Sequence, residues 1–325
     1  MRGMEDGFKI NAGAVGGRDR QKKGKKTSLR ASSDRQLLTM CVPAMIKLFI
    51  FAYVPMIGIV MAFQDFKPRT HIFSEFVGLD NFRFFFQSDD AARITFNTVF
   101  MNIIFIASSL VVALLLALVM NEIRSRFFLK SAQTMMFLPF FISWALAGLI
   151  LKTMLDPAGL ITVLIQDMTG KAINFYSSAG YWRVILPVIN IWKGAGVSAI
   201  IYYANIIGID KEYYEAASID GASRLQCVRH ITLPSLKSMI VVMTVMALGN
   251  IIRADFGIFY FGTRNSSMLY EVTDVIDTYV YRALMNSYDF SRAAAVGLFQ
   301  SVVGCILIVT TNLIVRRVNR KAALF

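Results

Sequence analysis

Six long apolar runs, separated by polar segments, constrain the fold of this 325-residue chain more than any other feature. A hydrocarbon layer about 30 Å thick is crossed by about 20 helical residues, and a backbone surrounded by lipid must satisfy its hydrogen bonds within the helix. Hydrophobic residues make up 56% of the chain, which is too many for a soluble globular protein. We therefore predict an all-α membrane protein with six transmembrane helices. Their predicted positions are residues 37–63, 95–120, 132–155, 183–208, 237–261 and 293–315.

Prolines lie inside three of these predicted spans. Pro43 and Pro55 fall in the first, Pro139 in the third and Pro187 in the fourth. A proline deletes one helical hydrogen bond, so we expect a kink at each of them. Such kinks occur near transport pathways and, more often, at packing contacts between helices.

Basic residues are distributed unevenly over the polar segments. The formal net charge of +13 would suggest a nucleic-acid partner for a soluble protein, whereas a membrane protein concentrates such an excess in its cytoplasmic loops. Residues 1–36 are basic with little apolar surface to bury, which predicts a disordered cytoplasmic arm. This bias predicts a cytoplasmic N-terminus, a transmembrane domain at residues 37–315, a cytoplasmic loop at about 209–236 and a basic cytoplasmic tail at 316–325. No nucleic-acid partner is expected.

Few residues have the spacing of a catalytic or metal site. The three cysteines are widely separated, so neither a disulfide framework nor a metal site is indicated. His71 and His230 are the only histidines, and they lie in different loops without a metalloprotease or nucleophile motif. We therefore expect no catalytic residue, no bound metal and no enzymatic activity in this chain.

A polar stretch between the fourth and fifth predicted spans has a well-defined local pattern. Its composition predicts a helix over residues 213–219, which ends where Gly221 supplies a turn conformation. Ser223 and Gln226 have the spacing of a capping box that starts a second helix. Pro234 is expected to end that second helix before the fifth span begins.

The same stretch resembles the EAA signature of the permease subunits of ATP-binding-cassette importers. The signature falls on the run Glu215-Ala216-Ala217, on Gly221 and on the run Ile231-Thr232-Leu233-Pro234, without a departure in spacing. The resemblance implies the type I importer permease fold and a loop whose first helix docks in a groove of the ATP-hydrolysing subunit. It gives six candidate residues for coupling to the ATPase: Tyr214, Glu215, Ala216, Ala217, Asp220 and Gly221.

The resemblance extends over most of the chain to the polysaccharide-type branch of carbohydrate permeases. It is carried by residues 138–139, 143–144, 192–194, 208–210, 249–251, 270–280 and 295–299. It implies import of an oligo- or polysaccharide, with alginate- or pectin-like acidic chains as the expected class. The alternatives are another sugar, a glycerol-phosphate-type solute or, from a different class of transporter, an ion-coupled secondary transporter.

The resemblance also implies the partners. The chain has no GxxxxGK[ST] motif, so ATP and Mg²⁺ are expected on two partner ATPase subunits and no cofactor is expected on this chain. Six spans form half of a pathway, so we expect a second, homologous permease. A solute-binding protein outside the cell, membrane lipid and a location in the bacterial cytoplasmic (inner) membrane complete the expectation.

Four charged residues fall inside the predicted spans, where a central charge costs about 2.5–3.5 kcal/mol. Lys47 is expected to reach the membrane surface or to pair with a neighbouring subunit, and Asp255 is expected to form a structural ion pair. For Lys193 and Arg253, structural and substrate-facing roles remain equally open. The candidate substrate pathway comprises Trp192, Lys193, Tyr203, Asn250, Arg253, Asp255 and Phe256.

One further helix is predicted on the outer side. Apolar residues recur at helical spacing over residues 271–284, with Asp274, Asp277 and Thr278 on the opposite face. This helix is expected either to pack on the protein's own spans or to dock a binding protein.

Overall fold

The computed structural model describes residues 37–67 and 74–318. The predicted arm at 1–36, residues 319–325 of the predicted tail and His71 lie outside these ranges. The chain divides into two compact units, Met1–Ile59 and Val60–Phe325.

The first unit contains most of helix α1 (Leu37–Phe63). This helix is π-helical over Phe49–Tyr53 and a 3-10 helix from Val54 onward. The Val54 amide donates to the Phe49 carbonyl, five residues back, directly before Pro55. A proline crowds the carbonyl four residues before it, so the wider π turn lets the helix continue past Pro55 without a break.

The second unit is almost entirely helical in its described part. A two-residue strand β1 (Gln64–Asp65) pairs antiparallel with β2 (Glu75–Phe76), with Gln64 opposite Phe76. The helices are α2 (Asp80–Gln87), α3 (Asp89–Glu122), α4 (Arg126–Phe141), α5 (Trp144–Leu155), α6 (Leu160–Thr169), α7 (Trp182–Ile207), α8 (Lys211–Ile219), α9 (Arg224–Gly249), α10 (residues 256–262), α11 (Tyr270–Thr273), α12 (Ile276–Met285) and α13 (Phe290–Val318).

Helix α3 connects the two ends of this unit. Its 34 residues extend about 50 Å at 1.5 Å per residue. At its C-terminus Glu122 pairs with Arg224, at the start of α9, and at its other end Asn97 donates to the carbonyls of Glu271 and Asp274. We call the end that carries α8 the loop end, and the end that carries α11 and α12 the far end.

Small residues set the closest helix contacts. The contact between α3 and α7 contains three fully buried alanines, Ala113 and Ala117 of α3 and Ala199 of α7. Small residues are usual where membrane helices approach closely. At Gly196 of α7, an added Cβ would lie 2.1 Å from the Met136 carbonyl oxygen of α4. Helix α7 runs without a break through Gly196 and Pro187, so this glycine serves helix packing.

The prediction of six spans is confirmed, since six helical runs in the described ranges are long and apolar enough to cross a membrane. The predicted third span is wrong as one helix, because α4 ends at Phe141 and α5 begins after Ser143. Pro139 lies close to that break, and the Ser143 hydroxyl accepts from the Leu146 amide to start the new helix. The apolar run with span-like length here is Trp144–Thr169.

The predicted fifth span is also wrong as one helix. Helix α9 begins at Arg224, ends at Gly249 and is followed by six non-helical residues, 250–255, before α10. Pro234 does not end the second loop helix, because a π-helical turn at Val228–Thr232 precedes it and the helix continues into the span. The same wider turn relieves the same proline clash as in α1.

The predicted helix over 271–284 is two helices, α11 and α12, with Asp274 and Val275 between them. Asp274 and Thr278, which were predicted to lie opposite the apolar face, are buried as well. Arg282 donates to both carboxylate oxygens of Asp274, at 2.7 and 2.8 Å, which makes its burial possible. Val275 and Ile276 are fully buried, so this segment packs on the protein's own helices.

Candidate functional sites: a bent loop and a polar cavity

The bent loop, residues 209–223, consists of α8, a glycine turn and the capped start of α9. The Asp210 carboxylate accepts from the Glu212 amide at 3.1 Å and caps α8. After α8 the chain reverses at Gly221, whose φ of +76° lies in the left-handed region that other residues resist. The predicted capping box is confirmed: the Ser223 amide donates to Gln226 Oε1 at 2.7 Å, and the Gln226 amide donates to Ser223 Oγ.

Among the described residues, few side-chain hydrogen bonds join α8 to the rest of the chain. The Tyr214 hydroxyl lies 2.9 Å from Thr232 Oγ1 of α9, and Thr232 is buried. The Arg224–Glu122 ion pair is 2.8 Å long, but both side chains are largely exposed, so it contributes at most about 1 kcal/mol. The conformation of the loop is therefore set mainly by its own helix caps and its glycine turn.

The outward face of the bent loop is partly apolar. Ile219 is 87% exposed, and the adjoining Leu225, in the first turn of α9, is 77% exposed. Glu215 and Ala216 are also exposed, and Glu215 forms no ion pair among the described residues. Exposed apolar side chains beside an unpaired charge are typical of a protein-docking surface. Of the remaining candidate coupling residues, Asp220 and Gly221 are exposed at the bend, whereas Tyr214 and Ala217 are half-buried.

A polar cavity of about 300 Å³ lies between α3, α7, α9 and the non-helical residues 250–255. It contains three candidates for the pathway, Asn250, Arg253 and Asp255. The polar residues that line it are Asn102, Ser109, Asn190, Ser198, Tyr202, Thr244, Asn250, Arg253 and Asp255.

Side chains from three other helices hold the non-helical segment open. Asn102 of α3 donates to the carbonyls of Ile251 and Arg253, at 2.8 and 3.0 Å. Gln300 of α13 donates to the Ile252 carbonyl at 3.1 Å. The Ala254 amide donates to the Asp277 carboxylate of α12 at 2.7 Å. Non-helical backbone at membrane depth is tolerated only where such partners replace the lost helical bonds.

The Asp277 carboxylate is the link between this segment and the far end. Burial raises the pKa of the Asp277 carboxyl above its usual range, although the hydrogen bonds from Ala254 and Gln300 and the charge of Arg253 oppose that shift.

The four charged candidates in the spans have different surroundings. Asp255 forms no ion pair among the described residues, so that prediction is wrong: its carboxylate accepts from the Trp144 indole at 2.8 Å and from the Gly257 amide at 2.9 Å. Arg253 is exposed toward the cavity and donates to Ser301 Oγ at 3.1 Å. Lys47 is exposed on α1.

Lys193 lies where α4 ends. Its ammonium donates to the carbonyls of Phe140, at 2.8 Å, and Ile142, and lies 5.2 Å from the Trp144 ring centroid. These carbonyls have lost their helical partners at the break, and a cation there also meets the negative end of the α4 dipole. Lys193 does not line the polar cavity.

The other aromatic candidates lie outside the cavity lining. Trp192 is 44% exposed on α7, and Tyr203 packs in the cluster between α3 and α9. Phe256 stacks with Tyr260 and packs against the tilted ring of Tyr281, each at 4.8 Å between ring centroids. Among the described residues, the aromatic side chains that line the cavity are Phe105 and Tyr202, the neighbour of Tyr203.

Sequence reasoning identified Asn250 but missed two other asparagines that line the cavity, Asn102 and Asn190. Asn102 and Asn190 are polar residues inside strongly apolar runs, which is itself a signal because such groups are expensive in lipid. The predicted pathway consisted of charged and aromatic residues, and Asn250 was its one amide.

Six spans, broken helices that border a polar cavity and an exposed loop at one end define a membrane transport protein. The chain belongs to the family described as the binding-protein-dependent transport system inner membrane component, whose sequence profile matches residues 109–322. It is therefore a multi-pass protein of the cytoplasmic membrane and a transport subunit.

Two relatives from Bacillus subtilis (strain 168) match nearly the whole chain. The polygalacturonan/rhamnogalacturonan transport system permease protein YteP is 36% identical over 300 residues, which are 92% of this chain and 93% of the relative. Protein LplB is 35% identical over 290 residues, which are 89% of this chain and 91% of the relative.

A solved structure has the same fold. The crystal structure of a bacterial ABC transporter involved in the import of the acidic polysaccharide alginate contains a chain that is 32% identical, with a TM-score of 0.81 over 90% of this chain and 99% of that one. These comparisons confirm the predicted fold class and the resemblance to importer permeases.

Proposed function

We propose that this chain is the transmembrane subunit of an ATP-binding-cassette importer and forms half of the pathway for an acidic oligo- or polysaccharide. The observation that carries the proposal is the combination of an exposed, glycine-bent loop at one end with a polar cavity at a broken helix about midway along the same spans. The loop offers a surface to a motor protein, and the cavity offers polar groups to a solute.

The substrate class is supported by chemistry and by relatives. Among the described residues that line the cavity, Arg253 is the one basic side chain, and the lining also contains amides, hydroxyls, a tyrosine and the Asp255 carboxylate. Amides and hydroxyls suit sugar hydroxyl groups, and a guanidinium suits a carboxylate. The relative named for polygalacturonan and the neighbour that imports alginate both handle uronate chains.

The bent loop supplies the coupling. Two ATPase subunits, which hold ATP and Mg²⁺, close on ATP and carry α8 with them. Glu215 pairs with a basic residue of the ATPase, Ala216 and Ala217 permit close approach, and Gly221 with Asp220 forms the bend, while Tyr214 ties α8 to α9. Because α9 is continuous from the loop to the cavity, movement of α8 reaches the cavity through one rigid helix. ATP drives transport only through its preference for one arrangement of the spans.

The remaining partners follow from the orientation. The loop end faces the cytoplasm, together with the basic arm and tail, and the far end faces a solute-binding protein that delivers the substrate. A second, homologous permease completes the pathway.

Reconstitution tests this proposal. The complex is purified from native membranes, placed in vesicles with its binding protein, and assayed for ATP-dependent uptake of a galacturonate or mannuronate oligosaccharide. Uptake and stimulated ATP hydrolysis with the acidic oligosaccharide, but not with glycerol 3-phosphate, are expected. Uptake that follows an ion gradient after ATP depletion, or uptake of glycerol 3-phosphate alone, would contradict the proposal and favour the alternatives.

A further inference from the structure

A second cavity of about 360 Å³ lies between α5 and α10, apart from the polar cavity described above. Two cationic side chains line it, Lys152 of α5 and Arg264 just after α10, together with the aromatic rings of Tyr260 and Phe261. None of the described residues that line this cavity is acidic. We call it the cationic cavity.

The two cations have no counter-charge of their own. Neither Lys152 nor Arg264 forms an ion pair with an acidic side chain among the described residues. Three arginines near the far end, Arg93, Arg282 and Arg292, are by contrast paired with aspartates. Lys171, near the same end, has no ion pair among the described residues, but it does not line the cavity. Asp156 follows Lys152 by one helical turn but does not line the cavity.

The backbone that carries Arg264 is held in an unusual conformation. Arg264 and Asn265 have φ values of 57° and 47°, in the left-handed region that non-glycine residues rarely adopt. Side chains from elsewhere fix this turn: the Tyr270 hydroxyl donates to the Asn265 carbonyl at 3.2 Å, and Arg282 donates to Asn265 Oδ1 at 3.3 Å. A costly conformation that its surroundings impose is a feature of functional sites.

The walls of the cavity are equally fixed. At Gly148 of α5, an added Cβ would lie 2.5 Å from the Phe261 carbonyl oxygen, so the backbones of α5 and α10 are in contact. The cavity is therefore a preformed recess with two unneutralised cations and two aromatic rings. Aromatic faces pack against sugar rings, and an ammonium and a guanidinium can both donate hydrogen bonds to carboxylates.

The cationic cavity lies toward the far end. Helix α5 leads from the break at Ser143, beside the polar cavity, to Lys152, and Arg264 is followed directly by the turn that Tyr270 of α11 holds. The Tyr176 hydroxyl, from the loop before α7, donates to the Gly262 carbonyl in the same region. The recess thus precedes the polar cavity on a path from the far end.

We infer that the cationic cavity is a second saccharide site, which binds a carboxylate of an acidic sugar chain before that chain reaches Arg253. This inference rests on the proposed function, since it places a uronate at a new position on the proposed pathway. Trp144 connects the two sites, because its indole donates to Asp255 of the polar cavity while α5 carries Lys152. One chain that occupies both sites places at least one carboxylate at each.

The test is direct binding to the whole importer in nanodiscs of phosphatidylcholine, without the binding protein. The probes are an oligogalacturonate and its fully methyl-esterified, neutral form. In the double variant Lys152→Gln, Arg264→Gln the Kd for the acidic probe is expected to rise about tenfold, as for the loss of charge-assisted hydrogen bonds at a partly exposed site, whereas the Kd for the ester stays unchanged. The Lys152→Arg variant is expected to keep the affinity.

Lys171→Gln is the matched control, since Lys171 is an exposed lysine near the same end that does not line the cavity. An unchanged Kd for the acidic probe in the double variant overturns the inference. Equal weakening for acid and ester overturns it too, because the cations then act on folding. An effect that appears only when phosphatidylglycerol is added assigns the cavity to a lipid headgroup and also overturns it. Uptake of the acidic oligosaccharide by the wild-type importer tests the proposed function separately, so the two failures are distinguishable.

Discussion

The bent loop and the polar cavity are built in opposite ways. In the loop, the caps at Asp210 and Ser223 and the turn at Gly221 involve residues within a few positions of one another, and the outward face is left without partners. At the cavity, the non-helical segment depends on Asn102, 149 and 151 residues away from the carbonyls that it binds. A surface that binds a partner protein remains exposed, whereas the backbone groups of a broken helix in a membrane must be hydrogen-bonded by the same protein.

The largest effect is expected at the bend. A valine at Gly221 meets no neighbour, since nothing lies within 4 Å of an added Cβ, but it must adopt a φ of +76° at a cost of about 1–2 kcal/mol. We expect Gly221→Val to reduce ATP-driven uptake at least tenfold while ATP hydrolysis by the complex continues. Gly221→Asn is the matched control, since asparagine tolerates this conformation, and equal uptake in both variants would remove the bend from the coupling mechanism.

The next largest effect is expected where the cavity is held. Asn102→Leu deletes two partly buried hydrogen bonds to backbone carbonyls and should cost about 2 kcal/mol of unfolding free energy. Thermal unfolding in detergent measures this as a lower midpoint. Asn205→Leu serves as the control, because the exposed Asn205 donates to the Ile201 carbonyl of its own helix and to no other helix among the described residues. If both variants unfold at the wild-type temperature, the segment does not depend on Asn102.

Substitution of Arg253 should weaken the affinity for substrate and leave the stability of the protein unchanged. It is exposed toward the cavity and, among the described residues, donates to one hydroxyl, that of Ser301, so Arg253→Gln is expected to weaken transport affinity for an acidic oligosaccharide about five- to tenfold. The half-saturating concentration in vesicles measures this. A variant that transports the acidic oligosaccharide as well as wild type contradicts a cationic pathway.

Lys193 should show the reverse pattern. Since it caps α4 and does not line the polar cavity, Lys193→Gln is expected to lower the unfolding free energy by about 1 kcal/mol with unchanged affinity for substrate. Lys193→Arg keeps a cation at the helix end and should lose less. A changed affinity at unchanged stability would return Lys193 to the pathway.

The smallest effect is a pH dependence at Asp277. Its pKa is raised in the folded state, so the folded protein binds this proton more tightly than the unfolded chain does. Stability should therefore decrease as pH rises from about 4, the ordinary pKa of an aspartate, through the raised value, and stay level above it. Asp277→Asn removes this contribution while keeping an acceptor oxygen. The measurement is the unfolding free energy as a function of pH in both proteins. If wild type and variant show the same slope, Asp277 is not the cause of the pH dependence.

The sequence predicts the local features of this protein better than the distant ones. The spans, the bend at Gly221 and the capping box follow from composition and from spacing over a few residues. The break after Gly249 does not, because the side chains that stabilise it come from α3, α12 and α13. The prediction that Pro234 ends the second loop helix was wrong because a π turn lets the helix continue, and no residue type clearly signals such a turn.

Charged residues in the spans show the same limit. The hydropathy pattern identified Lys193, Arg253 and Asp255 as residues that need compensation, but their partners are a helix end, a serine and an indole. Those partners lie 48 to 111 residues away, beyond the reach of any local pattern.

The most direct test of the account is whether an ATPase subunit binds α8. Cys41, Cys227 and Cys305 are first replaced by serine, because Cys227 lies within the second loop helix, and a cysteine is then placed at the exposed Ala216. In native membranes a short thiol crosslinker is expected to join Ala216→Cys to the ATPase subunit, and a membrane-impermeant maleimide should label it only from the cytoplasmic side. Labelling from outside intact cells, with no ATPase captured, would contradict the account.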